Sequence, residues 1–127
     1  MTLKMYQILD FPILFQKMKS QKLPFKSAYR LTLLSQEIQK HIDFYQNSFK
    51  ELLVEYSKKD ENGNVMPTED GQGVLLVEET MNEAYQKLAE LRDLDVELPD
   101  TKFFVDEFDK IELAPEELIN IMPFIEA

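Results

Sequence analysis

Residues 25–57 decide the fold, and they read FKSAYRLTLLSQEIQKHIDFYQNSFKELLVEYS, with no glycine or proline. Apolar residues recur along this stretch in two sets, each spaced by seven, that interleave in steps of four and three. The two sets are Leu31, Ile38, Tyr45 and Leu52, and Ile42, Phe49 and Tyr56. This spacing predicts one long amphipathic helix from about Phe25 to Ser57, roughly 50 Å long at 1.5 Å per residue. We expect a helix of that length to have a partner along its apolar side.

The partner is predicted between Glu78 and Leu94, where apolar residues again fall on one helical face. They are Met81, Ala84, Tyr85, Leu88 and Leu91. Because a single excursion joins the two helices, we expect an antiparallel helical hairpin. The excursion, residues 64–78, follows Asn62-Gly63, a pair suited to a type I′ turn, and we expect it to form a small hairpin or an irregular segment that ends in a strand.

The remaining segments are short. The partial alternation of Leu3–Leu9 predicts a strand, and Asp10 is placed to cap a helix over about Pro12–Ser20. In the tail we expect strands at Val96–Pro99, Lys102–Val105 and Lys110–Leu113, then a helix from about Pro115 to Met122. Together these elements predict a single α+β domain over residues 1–127, with a long amphipathic helix, its antiparallel partner helix and a small, mainly antiparallel sheet.

Composition excludes several classes of protein. The 127 residues include no cysteine, so disulfides, thiolate metal sites and cysteine nucleophiles are excluded. The longest apolar run, Phe11–Phe15, is far shorter than the roughly 20 residues that cross a bilayer, and the N-terminal sequence does not resemble a secretory signal. We therefore expect neither a membrane partner nor a cofactor.

Charge divides the chain into two halves. Residues 1–59 hold ten Lys/Arg and five Asp/Glu, whereas residues 60–127 hold four and nineteen, which gives +5 and −15 for the total of −10. An acidic surface repels phosphate, so direct binding to nucleic acid is not expected. The asymmetry allows two interpretations, internal pairing of the basic half with the acidic half or an acidic recognition face.

The alternation of Asp60, Asn62 and Asn64 resembles the start of a calcium loop. That motif requires glycine at its sixth position and glutamate at its twelfth, where this chain has Val65 and Gly71. We therefore interpret the segment as a turn and predict no metal site.

No catalytic site is predicted either. His41, the single histidine, lies in mid-helix beside Ile42, with no nucleophile motif near it in the sequence. Adjacent acids occur at Glu78-Glu79, Asp106-Glu107 and Glu116-Glu117, and a chain with 24 acids yields such pairs by composition alone. We expect the protein not to be an enzyme.

One tract of the tail has the composition of a docking surface for a partner protein. It comprises Phe103, Phe104, Asp106, Glu107, Phe108 and Asp109, with Val105 between them. If the segment is extended, Phe103 and Phe104 point to opposite sides, so only one of them can enter the core. The alternatives are an edge strand that buries one row of aromatic rings and an acidic, aromatic surface for a partner.

Several segments together resemble a family of small, mostly uncharacterised proteins of tailed bacteriophages and prophages. They are Lys22-Leu23-Pro24-Phe25-Lys26 before the long helix, the turn Lys59–Asn64, the stretch Leu88–Pro99, and the tail Ile111–Leu118 with Met122–Glu126. These motifs are turns, caps and core positions, and they cover nearly the whole chain from about residue 20. The resemblance implies a phage accessory protein, in the host cytoplasm or the virion, that contacts a phage structural protein or a host factor.

The sequence therefore predicts a non-catalytic interaction protein, accessory to virion or tail assembly. Self-association is a further expectation, because exposed parts of the long helix's apolar stripe would favour a second copy. The alternative function is an acidic inhibitor that mimics DNA and blocks a host defence nuclease or another host enzyme.

Overall fold

The chain forms five α-helices and four short strands over residues 1–126, which are the residues that the computed structural model describes. In chain order they are β1 (Thr2–Lys4), α1 (Met5–Ile8), α2 (Phe11–Lys19), α3 (Phe25–Tyr56), α4 (Met81–Arg92), β2 (Asp95–Glu97), β3 (Phe103–Phe104), α5 (Pro115–Ile121) and β4 (Ile125–Glu126). Short 3₁₀ turns occupy Glu78–Thr80, Val105–Phe108 and Met122–Phe124. The α+β class is confirmed.

The long helix is confirmed almost to the residue. α3 runs without interruption for 32 residues and begins directly after Pro24, whose carbonyl oxygen accepts the Ala28 N–H at 2.9 Å. The predicted stripe faces the protein: four of its members are buried and three are half-buried. The buried members are Leu31, Ile38, Ile42 and Tyr56, and the half-buried ones are Tyr45, Phe49 and Leu52.

The chain resolves into two compact units, of which the first contains Met1–Ile42 and the chain from Asp95 onward, and the second contains Asp43–Leu94. The single domain over residues 1–127 stays a prediction. Burial is concentrated in the first unit, where helices and strands supply most of the large buried side chains. They include Met5, Ile8, Phe11, Leu14, Met18, Leu31, Leu34, Ile38, Val96, Phe103, Ile121 and Phe124.

The first unit contains two small sheets of two strands each. β1 and β2 are antiparallel, with Leu3 opposite Val96, whereas β3 and β4 are parallel, with Phe103 opposite Ile125. The three isolated bridges in the second unit are antiparallel, so antiparallel pairing predominates among the described residues.

The predicted strand Leu3–Leu9 is wrong beyond its first residues. The chain turns into α1 at Met5, because Gln7 Oε1 accepts the Lys4 N–H at 2.7 Å and satisfies a donor at the start of the helix. Met5 and Ile8, three residues apart, then both point into the core. α2 follows at Phe11, one residue before its predicted start.

The predicted strand Lys110–Leu113 is also wrong. The Ile111 N–H donates to the Phe108 carbonyl oxygen at 2.9 Å and forms a turn. The side-chain amide of Gln21 then binds both backbone groups of Glu112, accepting its N–H at 2.7 Å and donating to its carbonyl at 3.1 Å. A side chain thus takes the place of a neighbouring strand.

In the second unit, α4 confirms the predicted partner helix. Its first turn meets the end of α3, where the Tyr56 hydroxyl donates to Glu83 Oε1 at 2.9 Å, as an antiparallel hairpin requires. The hydrogen bond to the Glu83 carboxylate raises the pKa of Tyr56 above its ordinary value. Ala84 and Leu91 are buried on the inner face of α4.

The excursion between α3 and α4 is a closed arrangement of three extended segments without regular strands. The Lys58 N–H donates to the Leu75 carbonyl, the Leu75 N–H to the Met66 carbonyl, and the Met66 N–H to the Lys58 carbonyl, at 2.7, 2.8 and 3.0 Å. Bridges at Ser57–Leu76 and Pro67–Val74 lie on either side. Each segment therefore forms hydrogen bonds with both of the others. The excursion is irregular, as predicted, but the strand predicted at its end does not form.

The predicted type I′ turn at Asn62-Gly63 is wrong, because that turn needs a positive φ at two central residues. Gly63 has a φ of 81°, and no residue other than glycine has a positive φ in the described chain. The Gly63 N–H instead donates to the Asp60 carbonyl, and the Asp60 N–H to the Asn64 carbonyl. This is a three-residue hairpin loop that places glycine alone in the left-handed position.

Candidate functional site

The predicted docking tract divides between core and surface. Phe103 is fully buried in β3, whereas Phe104 is 59% exposed on the opposite side, as alternation in an extended segment requires. Asp106 and Asp109 are exposed, and Phe108 is half-buried with its ring 5.2 Å from that of Phe103. Phe103 is therefore unavailable to a partner.

Glu107, also in the predicted tract, has a structural role. Its Oε1 accepts the Ser27 hydroxyl at 2.7 Å and lies 3.2 Å from Arg30 Nη1, and its Oε2 accepts the Phe104 N–H at 2.6 Å. Partial burial opposes ionisation, but the hydrogen bonds from Ser27 and Phe104 and the charge of Arg30 outweigh it and lower the pKa of Glu107. Arg30 also lies over the Phe103 ring, 4.6 Å from its centroid. These contacts hold the tract against α3.

Beside this tract lies a predominantly apolar cleft of about 270 Å³. The 3₁₀ turn Val105–Phe108 and the residues after it form one side, and α5 with the chain that follows it forms the other. Its lining residues are Val105, Phe108, Asp109, Ile111, Leu113, Leu118, Ile121, Met122 and Ile125. Met122 is 62% exposed and Val105 is 55% exposed, so the cleft exposes large apolar side chains to water.

The segments that line this cleft are acidic, and Asp109 is itself a lining residue. Residues 105–126 contain seven acids and one base, Lys110. Two of the acids are engaged, Glu107 as described and Glu117 with Lys17 Nζ at 2.6 Å, a contact that lowers the pKa of Glu117. The remaining acids are exposed at the surface: Asp106, Asp109, Glu112, Glu116 and Glu126. We name the cleft and these five residues the acidic cleft.

The amphipathic start of α5 explains how the tail builds one wall. Pro115 occupies the first helical position, and Glu117 Oε1 accepts the Ala114 N–H at 2.9 Å, which caps the helix. With the helix started there, Ile121 turns into the core while Leu118 and Met122 line the cleft. Sequence reasoning missed this wall, because the segments Ile111–Leu118 and Met122–Glu126 were interpreted as turns, caps and core positions.

The other candidate residues have structural partners. His41 is half-buried, with Nε2 3.2 Å from the Glu97 carbonyl oxygen of β2. Asp60 Oδ1 accepts the N–H groups of Asn62 and Asn64 at 2.8 and 3.0 Å, which explains the acid–amide alternation by a turn. Glu116 and Glu117 diverge, since Glu117 binds Lys17 while Glu116 stays exposed.

Residues 1–126 contain no group of three or more histidines and carboxylates arranged to hold a metal ion. Nor does any helix there combine the length and apolarity that a membrane span demands. Comparison with family models, with curated proteins and with solved structures found no match to this chain.

Proposed function

We propose that this chain is a non-catalytic interaction protein that uses the acidic cleft to hold a partner protein. The observation that supports this most directly is the exposure of Val105, Leu118 and Met122 at the cleft, on segments that also carry exposed carboxylates. A water-exposed apolar recess with a polar border has the composition of a protein interface, with an apolar centre and a charged rim.

The cleft also indicates the chemistry of the partner. Its volume of about 270 Å³ suits one large apolar side chain, and lies below the roughly 300–1,000 Å³ of most small-molecule sites. Asp109 and the exposed carboxylates of the same segments attract cations and repel acidic proteins. We expect the partner to present an apolar anchor residue flanked by lysine or arginine.

The setting we propose is a tailed bacteriophage, where the chain is accessory to virion or tail assembly. This part of the proposal is supported by the resemblance of the turns, caps and tail to phage proteins. The partner is then a phage structural protein or a host factor, and the chain acts in the host cytoplasm or in the particle.

An acidic inhibitor that mimics DNA would need a broad surface of carboxylates that are not paired within the chain. Here, within the described chain, Lys and Arg side chains of residues 1–59 pair with acids of residues 60–126, Lys4 with Asp95, Lys17 with Glu117 and Arg30 with Glu107, and the Met1 amino group pairs with Asp100. These pairs support internal neutralisation, and the exposed apolar cleft supports protein contact. Competition by duplex DNA for the partner, with a steep loss of binding in salt, would favour the mimic instead.

The test is affinity capture from infected cells with the wild-type chain and a Met122→Asp variant. Aspartate at this exposed position adds a charge to the cleft wall and leaves the core untouched, so partner capture should fall about 30-fold or more if Met122 lies at the centre of the contact. Mass spectrometry of purified virions would show in parallel whether the chain is part of the particle.

The matched control is Phe44→Asp, which places the same charge on a 56% exposed apolar residue of α3. Partner capture that survives Phe44→Asp and fails with Met122→Asp supports the acidic cleft as the site. A partner retained equally by both variants would exclude the cleft, and a partner released by duplex DNA would point to the inhibitor.

A further inference from the structure

Phe25, the first residue of α3, is 85% exposed, more than any other large hydrophobic side chain in the described chain. Tyr29 and Leu33 follow at intervals of four, 59% and 45% exposed, so the three side chains form one outward stripe over the first turns of α3. This stripe is distinct from the buried seven-residue pattern, which lies on the other side of the helix.

The surroundings of Phe25 are basic. Lys22 and Lys26 flank it, both are exposed, and neither forms an ion pair within residues 1–126. An aromatic anchor between two lysines matches the partner chemistry that we propose for the acidic cleft. The chain thus carries both halves of one complementary contact, a basic apolar segment and an acidic apolar cleft.

The two halves lie side by side. Lys22, Leu23 and Pro24 share a surface recess with four charged residues of the tail, the acids Asp106, Glu107 and Asp109 and the base Lys110. Asp109 also lines the acidic cleft, so the recess connects the cleft to the residues directly before Phe25. Because the basic segment around Phe25 and the acidic cleft adjoin on one surface, two copies can pair about a two-fold axis. The basic segment of each copy then meets the acidic cleft of the other.

We propose that the acidic cleft is covered by a second copy of this chain, with the Phe25 ring of each copy in the cleft of the other. Lys22 and Lys26 then face Asp106, Asp109 and Glu116 across the interface. This inference rests on the proposed function, since it names an occupant for the same cleft. A partner with a stronger basic anchor would displace the second copy.

Sedimentation equilibrium of the wild-type chain, up to high micromolar concentration, tests the inference directly. The wild type should dimerise, and Phe25→Asp should raise the dissociation constant at least about 100-fold, because it removes both anchors of a two-fold dimer. Aspartate in the first turn of α3 suits the helix dipole, so the fold should be retained, as circular dichroism would show. Tyr29→Asp provides a second variant of the same stripe.

A mixture of two variants tests whether Phe25 of one copy binds the cleft of the other. The Phe25→Asp variant keeps an intact cleft, and the Met122→Asp variant keeps an intact Phe25. Each variant alone should be monomeric. An equimolar mixture should form a mixed dimer, in which Phe25 of the Met122→Asp copy binds the cleft of the Phe25→Asp copy. The mixed dimer should weaken as salt is raised to about 0.3 M, since screening acts on the lysine–carboxylate pairs. Phe44→Asp, about five turns further along α3, should dimerise like the wild type.

Several results would overturn the inference. They are a wild-type monomer at every concentration, a dimer unaffected by Phe25→Asp, the absence of a mixed dimer, and a dimer that Phe44→Asp weakens as much as Phe25→Asp does.

The proposed function is judged separately, by partner capture with Phe25→Asp, which leaves the cleft intact. If Phe25→Asp captures the partner and Met122→Asp does not, the cleft binds the partner whether or not the chain dimerises.

Discussion

The Glu107 carboxylate accepts hydrogen bonds from the Ser27 hydroxyl of α3 and from the Phe104 N–H of β3. Arg30 completes the group, since it pairs with Glu107, covers the Phe103 ring and donates to the Lys102 carbonyl oxygen. Val105 and Phe108, which line the acidic cleft, belong to the same 3₁₀ turn as Glu107. One carboxylate therefore fixes a wall of the cleft to the long helix.

We predict that Glu107→Gln lowers the free energy of unfolding by about 1–2 kcal/mol at neutral pH, because it replaces an ionised acceptor with a neutral amide. The pKa of Glu107 is lower in the folded chain than in the unfolded one, so ionisation favours folding. This contribution is complete above the unfolded pKa of about 4.3 and disappears as the pH falls through the lower folded value. Urea unfolding of both chains near neutral pH and under acidic conditions measures it.

The neighbouring exposed acid provides the control for that experiment. Asp106→Asn removes a carboxylate that binds no base in the described chain, so its effect should stay within about 0.5 kcal/mol at either pH. If the wild type and Glu107→Gln differ in free energy of unfolding by as much in acid as near neutral pH, ionisation of Glu107 does not stabilise the fold.

Among the elements, the turn after α3 depends on one glycine. A Cβ added at Gly63 would meet no atom within 4 Å, so space does not restrict this position, but its φ of 81° does. Gly63 closes the loop whose outer bridge joins Lys59 to Val65, and this bridge leads into the ring of three backbone hydrogen bonds. The left-handed backbone at Gly63 thus supports the whole excursion between α3 and α4.

We predict that Gly63→Ala destabilises the chain by about 1 kcal/mol, because the left-handed region disfavours an L-residue by roughly 1–2 kcal/mol. Gly73→Ala is the matched control: its φ is not positive, and the added Cβ would meet only Thr68 side-chain atoms, at 3.7 Å and beyond. It should be neutral or slightly stabilising, since alanine restricts the unfolded chain. Equal urea midpoints for the two variants would contradict this account of the loop.

The helices could be predicted from the sequence because their signals are local. Pro24 marks the start of α3, the seven-residue spacing marks its buried side, and Pro115 marks the start of α5. The errors at Leu3–Leu9 and at Asn62-Gly63 concern local hydrogen bonds, but the wrong strand at Lys110–Leu113 arose because a distant group supplies the hydrogen bonds. Gln21 binds the backbone of Glu112, which is 91 residues away in the chain, and no spacing within Lys110–Leu113 indicates that contact.

The candidate site was found only in part for the same reason. Alternation along the chain predicted correctly that just one of Phe103 and Phe104 enters the core. The cleft, however, combines Val105 and Phe108 with Leu118 and Met122 of a separate element, and it forms only when α5 is packed. Likewise, nothing in the Phe25 segment itself shows that its ring stays exposed, because burial depends on what the fold places next to it.

Over the whole molecule, the net charge of −10 sets a long-range repulsion that the ion pairs only partly offset. Among the described residues, the pairs that join residues 1–59 to acids of residues 60–126 include the Met1 amino group with Asp100, Lys4 with Asp95, Lys17 with Glu117 and Arg30 with Glu107, and each has at least one partly exposed side chain. Pairs of this kind contribute at most about 1 kcal/mol each, whereas repulsion grows with the square of the net charge. We infer that repulsion outweighs the pairs and that screening stabilises the chain.

We therefore predict that the midpoint of thermal unfolding rises by a few degrees as sodium chloride is raised from about 0.02 to 0.3 M, because the Debye length then falls below the spacing of most surface charges. The measurement is made on Phe25→Asp, so that self-association does not contribute. Replacing four exposed acids, Glu61, Glu69, Glu79 and Glu90, with glutamine should raise the midpoint at low salt and reduce its dependence on salt. Replacing the exposed Lys50 and Lys58 with glutamine makes the chain more negative and should do the opposite. A midpoint that falls with salt would mean that the ion pairs, rather than the acidic surplus, control stability.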